Sequence, residues 1–161
     1  MEFNPVEKVN ELIDTLKKFN PTIRKKTDEG YEWLEEDTDV CIEILNPDSY
    51  NPDDGLTIIC EDDGEFTLCF GAHYHYWGCD EEYNQMCQDA LDILKNKMCS
   101  ANILSGEGKK WIGGGWLRCD EIDLPIKDVF FFLNLPIEYE AHYSFWDNSL
   151  NKIIRVRKNE K

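Results

Sequence analysis

Two apolar runs, Leu56 to Glu61 and Glu65 to Gly71, stand either side of Asp63-Gly64, and this pattern constrains the fold more than any other stretch of the chain. Asp-Gly between two strand-like runs signals a two-residue hairpin, because both residues tolerate the backbone angles of a tight turn. A two-residue turn sets Ile59 opposite Leu68 and Ile58 opposite Cys69. An antiparallel sheet is therefore expected before any other element is considered.

The second run leads through Gly71 into Ala72-His73-Tyr74-His75-Tyr76-Trp77-Gly78-Cys79. Continued as one extended chain, alternation groups Phe66, Leu68 and Phe70 with Tyr74 and Tyr76, and Thr67 and Cys69 with His73, His75 and Trp77. The first face reads as core and the second as a working surface.

Two helices are expected. From Pro5, the residues Val6, Val9, Leu12, Ile13, Leu16 and Phe19 recur at helical spacing, with Asn4 as N-cap and Asn20-Pro21 as the stop. Asp80 is a candidate N-cap for a second helix running to about residue 99, in which Tyr83, Met86, Cys87, Ala90, Leu91, Leu94 and Met98 recur. Further strands are expected at Tyr31 to Leu34, Val40 to Leu45, Ala101 to Leu104, Lys110 to Arg118, Ile137 to Phe145 and Leu150 to Lys158, with a helical turn over Asp128 to Leu133. A turn at Asn148-Ser149 sets Glu140 opposite Arg157 and His142 opposite Arg155. The run Ala141-His142-Tyr143-Ser144-Phe145-Trp146 echoes Ala72 to Trp77, which reads as similar use of aromatics on edge strands.

Gly113-Gly114-Gly115 lies in a strand-like run and lacks the flanking pattern of a phosphate loop, since Lys109 is followed by Lys110 and not by Ser or Thr. Such glycines mark a bulge or a place where an aromatic ring lies on bare backbone. A chain of 161 residues can bury one sizeable core. The expected architecture is a single α+β domain over residues 1–161, a twisted antiparallel sheet of about six to eight strands packed on the two helices.

Charge narrows the function classes. Acidic residues number 33 against 17 basic ones, and no Lys or Arg occurs between Thr27 and Leu94. Such a negative field repels nucleic acid and anionic membranes and steers a basic protein inward. No apolar run reaches the length of a membrane span, and the N-terminal residues lack signal-peptide character, so a cytoplasmic protein is expected. Seven cysteines without a Cys-x-x-Cys pair read as free thiols.

Two site hypotheses follow. His73 and His75, two apart on an extended chain, could hold zinc with His142 as third ligand, giving a metal-dependent hydrolase. That enzyme reading rests on three histidines. The interaction reading draws on more residues and needs no cofactor: Asp62, Asp63, Glu65 and Glu81 for steering, His73 and His75 beside them, and Trp77 and Trp146 as aromatic anchors, with Trp116 a further candidate. The run Phe70-Gly71-Ala72-His73-Tyr74-His75-Tyr76, followed by a helix in a small acidic α+β chain, resembles immunity proteins of bacterial polymorphic toxin systems. That resemblance, which covers mainly Glu65 to Met98, implies a module that binds and neutralises a cognate toxin, often a nuclease; joined to the acidic charge, it leads to the expectation of a non-enzymatic protein that occludes the active cleft of a basic partner. It implies no catalytic residue.

Overall fold

Five short strands that follow one another in sequence build the first sheet: β1 (Thr22–Arg24), β2 (Val40–Ile44), β3 (Leu56–Cys60), β4 (Phe66–Phe70) and β5 (His73–Trp77). They are hydrogen-bonded in that order, each antiparallel to the next. A computed structural model describes residues 4–49, 51, 54–77, 82–106 and 108–157. The chain divides into two compact units, Met1–Leu91 and Asp92–Lys161.

The β3–β4 register differs from the expected one by a single residue. Ile58 pairs with Leu68 and Ile59 with Thr67, because the connection is a three-residue turn over Asp62, Asp63 and Gly64. Gly64 N–H donates to the Glu61 carbonyl, Glu61 N–H donates to the Glu65 carbonyl, both at 3.0 Å, and Gly64 has φ +88°. A left-handed glycine closing a three-residue loop is the next most common hairpin after the two-residue forms. A slip of one residue exchanges the faces of a strand. Leu56, Ile58 and Cys60 accordingly join Phe66, Leu68 and Phe70 on one buried face.

The second correction is at Gly71. Phe70 pairs with His73, and Gly71 has φ +63°, so the chain reverses through Gly71-Ala72 and does not run on. His75 then pairs with Leu68 and Tyr74 with Cys69. His73 and His75 therefore share the face of Phe70 and Leu68, which inverts the expected partition.

Helix α1 (Pro5–Leu16) begins where Asn4 accepts the Glu7 N–H at 3.3 Å and passes into a 3-10 turn, Lys17–Phe19, closed by Asn20 at φ 54°. Leu12 and Leu16 are fully buried. Helix α2 (Tyr83–Leu94) joins this unit through Tyr83, whose ring centre lies 5.4 Å from that of Phe66 and whose hydroxyl donates to the Lys8 carbonyl at 2.9 Å. Its expected N-cap, Asp80, lies outside the described residues.

Helix α2 ends before residue 99. Asn96 takes φ 59°, its N–H donates to the Ile93 carbonyl at 3.0 Å, and the Lys97 N–H donates to the Asp92 carbonyl at 2.7 Å. This left-handed cap satisfies two carbonyls of the last turn and turns Met98 and Cys99 into the next strand. The expected strand at Tyr31 to Leu34 is a series of turns, in which Tyr31 N–H and Leu34 N–H bond to the Asp28 and Tyr31 carbonyls.

In the C-terminal unit β6 (Met98–Ser105), β7 (Trp111–Arg118), β8 (Tyr139–Ser144) and β9 (Lys152–Val156) form a second antiparallel sheet in the order β7-β6-β8-β9. Its core comprises Cys99, Ala101, Ile103, Leu117, Ala141 and Tyr143, together with Ile122, Ile126 and Phe130 around the short helix α3 (Ile126–Val129). The helical turn thus starts two residues earlier than expected. Phe130 lies over Gly115 and Leu133 over Gly113, so the glycine run receives apolar side chains on bare backbone. The β8–β9 register is offset by two, with Glu140 opposite Arg155 and His142 opposite Ile153. A 3-10 turn over Asn148–Leu150, capped by the Asp147 side chain, lengthens the connection. An offset of two preserves each strand's faces.

The α+β class and antiparallel pairing hold, but the strands form two sheets and not one. Alternation tells which side chains share a face; it does not tell which strand lies alongside which. Among the described residues no helix is long and apolar enough to cross a membrane.

The glycine run yields a paired prediction. A Cβ at Gly113 would stand 2.6 Å from Leu133 Cδ2, whereas one at Gly115 would meet Phe130 at an ordinary 3.6 Å. Gly113→Ala is expected to destabilise by about 1 kcal/mol through overpacking. Gly115→Ala should be neutral or stabilise by about 0.4–1 kcal/mol by restricting the unfolded chain. Urea unfolding of both variants measures the difference.

Candidate functional site

The helical stripe of α1 is only partly covered. At 3.6 residues per turn its apolar positions from Val6 to Leu16 span roughly 120° of the helix surface, the width of an ordinary core-facing stripe. Leu12 and Leu16 are fully buried, but Val9 and Ile13 are half-buried and Val6 is 65% exposed. On the sheet, β1 is a three-residue edge strand whose Ile23, paired with Ile42, remains 42% exposed. Between these surfaces runs a groove of about 600 Å³, walled by Val6, Val9 and Ile13 of α1 and by Ile23, Val40 and Cys60 of the sheet.

Acidic turns form its rim. Asp37, Glu61 and Asp62 line it, and among the described residues Lys25 is the one cation in the lining. The buried Asp39 carboxylate joins the two turns, accepting the Asp62 N–H at 3.0 Å through Oδ1 and the Glu36 N–H at 2.9 Å through Oδ2. Burial, followed by the nearby charges of Glu65, Asp63, Asp39 and Glu35, raises the Glu61 carboxyl above its ordinary range. The unit Met1–Leu91 carries 23 Asp and Glu against 6 Lys and Arg, and Asp92–Lys161 carries 10 against 11. The groove thus opens in the acidic unit. On its floor, burial holds the Cys60 thiol far above its usual range, which leaves it protonated and inert.

Of the residues singled out from the sequence, Asp62, Asp63 and Glu65 lie together at the β3–β4 turn, the first two exposed. His73 and His75 sit on β5, the edge strand farthest in pairing order from β1. Trp77 is the last residue of β5, in register with Phe66, and Glu81 lies outside the described residues. Trp146 is 8% exposed and so is no surface anchor. The Ala-His-Tyr echo also ends at the sequence, since β8 is an internal strand with Tyr143 buried, while β5 is an edge with Tyr74 exposed.

His142 belongs to a separate cluster in the C-terminal unit. Its Nε2 lies 2.9 Å from Glu140 Oε2, and Arg155 Nε donates to Glu140 Oε1 at 2.8 Å, with Lys109 Nζ at 3.9 Å. The His142 and Arg155 hydrogen bonds, assisted by the Lys109 charge, hold the Glu140 carboxyl down to about 2. Arg155 therefore serves Glu140, where the expected register gave it to His142. No group of three or more His, Cys, Asp or Glu side chains among the described residues is arranged to hold a metal ion.

Sequence reasoning found the acidic turn and missed the groove. Val6, Val9 and Ile13 belong to a stripe of ordinary width, so nothing in the helical spacing sets them apart from Leu12 and Leu16.

The two perturbed carboxyls predict pH effects of opposite sign. Glu61, raised in the folded chain, opposes folding when ionised, and this opposition fades as pH falls below its folded pKa. Glu61→Gln is expected to raise the thermal midpoint at pH 7 and to have no effect near about pH 3. Glu140, lowered, supports folding fully above the ordinary carboxylate range, and that support is lost as pH falls toward about 2. Glu140→Gln should lower the midpoint at pH 7, with the deficit closing as pH approaches 2. Thermal melts across this range at fixed ionic strength read both. No protein-family model, curated protein or solved structure matches the chain, so its functional reading stands on the groove, its rim and the charge distribution.

Proposed function

We propose that this chain is an acidic protein-binding module that neutralises a basic protein, of the bacterial toxin or nuclease class, by seating against it and occluding its active cleft. The observation that carries this reading is the acidic rim on an apolar groove, in a unit whose acids outnumber its bases by 23 to 6. Excess charge of one sign raises the encounter rate with an oppositely charged partner. Apolar surface framed by polar side chains is the usual anatomy of a protein interface. The Asp39 hydrogen bonds support the same reading, because they hold Asp62 in place before any partner arrives.

The test begins with cross-linking in the native cells and identification of the bound protein. A basic partner is expected, whose expression alone arrests growth and whose co-expression with this chain does not. Raising salt from about 50 to about 300 mM should weaken binding at least tenfold, chiefly through the association rate. The triple reversal Asp62→Lys, Asp63→Lys, Glu65→Lys should do the same and abolish protection. A partner bound equally well at both salt concentrations and by the reversed variant would refute the proposal.

A further inference from the structure

We infer that the groove between α1 and the β1–β3 corner receives an aliphatic or aromatic side chain from a partner segment in which that residue is flanked by Lys or Arg. The inference rests on the reading above of a basic protein partner, and adds which element of that partner is recognised.

Three features of the groove select this occupant. Its apolar residues are contiguous: Val6 and Ile23, the exposed pair, adjoin Val9, Ile13 and Val40 in one lining. A concave, mostly apolar lining with a few polar residues at its edge is the form that side-chain and ligand pockets take. Its volume of about 600 Å³ holds one or two large side chains and falls within the range of ligand pockets. Its rim supplies Asp37, Glu61 and Asp62, so a cation beside the inserted residue meets a carboxylate without leaving the groove's mouth. The crowding that disfavours ionised Glu61 is relieved by such a cation.

Charge also argues against other occupants. A second copy of this chain, with net charge −16, would bring carboxylates toward carboxylates. An anionic lipid surface meets the same repulsion. A basic segment with an apolar centre satisfies both the floor and the rim.

The probes are two synthetic peptides, Lys-Lys-Trp-Lys-Lys and Lys-Lys-Ala-Lys-Lys, titrated into the full chain and followed by amide chemical shifts. The tryptophan peptide is expected to bind at least about tenfold tighter, as for a side chain filling a desolvated pocket. Its shifts should centre on Val9, Ile13, Ile23 and Val40. Val6→Gln with Ile23→Gln, both at exposed positions, should erase this preference while leaving the thermal midpoint unchanged. Glu61→Gln with Asp62→Asn should weaken both peptides alike. Equal binding of the two peptides, with salt-sensitive shifts confined to Asp62, Asp63 and Glu65, would overturn the groove assignment while leaving the acidic-surface reading intact. Failure of the tryptophan peptide to bind at millimolar concentration would overturn it as well. Sedimentation showing a dimer that Val6→Gln dissolves would assign the groove to a second copy and overturn it too.

Discussion

A buried carboxylate governs the acidic corner of this protein. Asp39 is almost wholly removed from solvent in a unit dense with negative charge, a position that is unfavourable unless its oxygens are hydrogen-bonded. Both are: one takes the Asp62 N–H and the other the Glu36 N–H. Hydrogen bonds to charged groups contribute about 1.5–3 kcal/mol each, roughly twice the neutral value. These two fasten the turn entering β2 to the turn leaving β3, and so fix where Val40 and Cys60 stand at the groove's end. The mouth of the groove is thereby built from backbone held by a side chain, and does not depend on the long acidic side chains that decorate it.

Much of the fold was legible in the sequence because strand faces follow from alternation, and the register errors have a common origin in turn length. The Asp63-Gly64 signal located the β3–β4 hairpin, yet one extra residue in the turn reversed the pairing parity. Gly71 falls within an alternating run, yet the chain reverses there, which puts His73 and His75 on the other face. At β8–β9 the error was two residues, so parity survived and Glu140 still met an arginine on the polar face, Arg155 in place of Arg157. Odd errors change which side chains are buried; even ones change only their partners. Turn length is set by backbone hydrogen bonds and by which residue takes a left-handed angle, and these depend on atoms that alternation does not describe.

The site was legible in part for a related reason. Asp62, Asp63 and Glu65 sit at a hairpin tip, where exposure follows from local geometry alone. Trp146 lies beyond the end of β8, and its burial depends on which elements cover it, which no local pattern records. The groove is less local still. Val6 and Ile13 belong to the same stripe as Leu12 and Leu16, yet they line the groove beside Ile23 of the three-residue edge strand β1, a placement that helical spacing does not record.

The groove and its rim also oppose one another energetically in the isolated chain. Apolar residues at the floor lower the local dielectric response, and this raises the cost of ionising Glu61 beside Asp63 and Glu65. Within a fold selected for stability alone, an amide or a lysine at residue 61 would relieve the strain. Retaining the carboxylate makes sense where a cation arrives from outside, since desolvation that penalises a lone charge strengthens its attraction to an opposite one. On the proposed reading, the same apolar floor that raises the cost of an ionised Glu61 in the isolated chain would favour a partner segment that brings a cation beside an apolar residue.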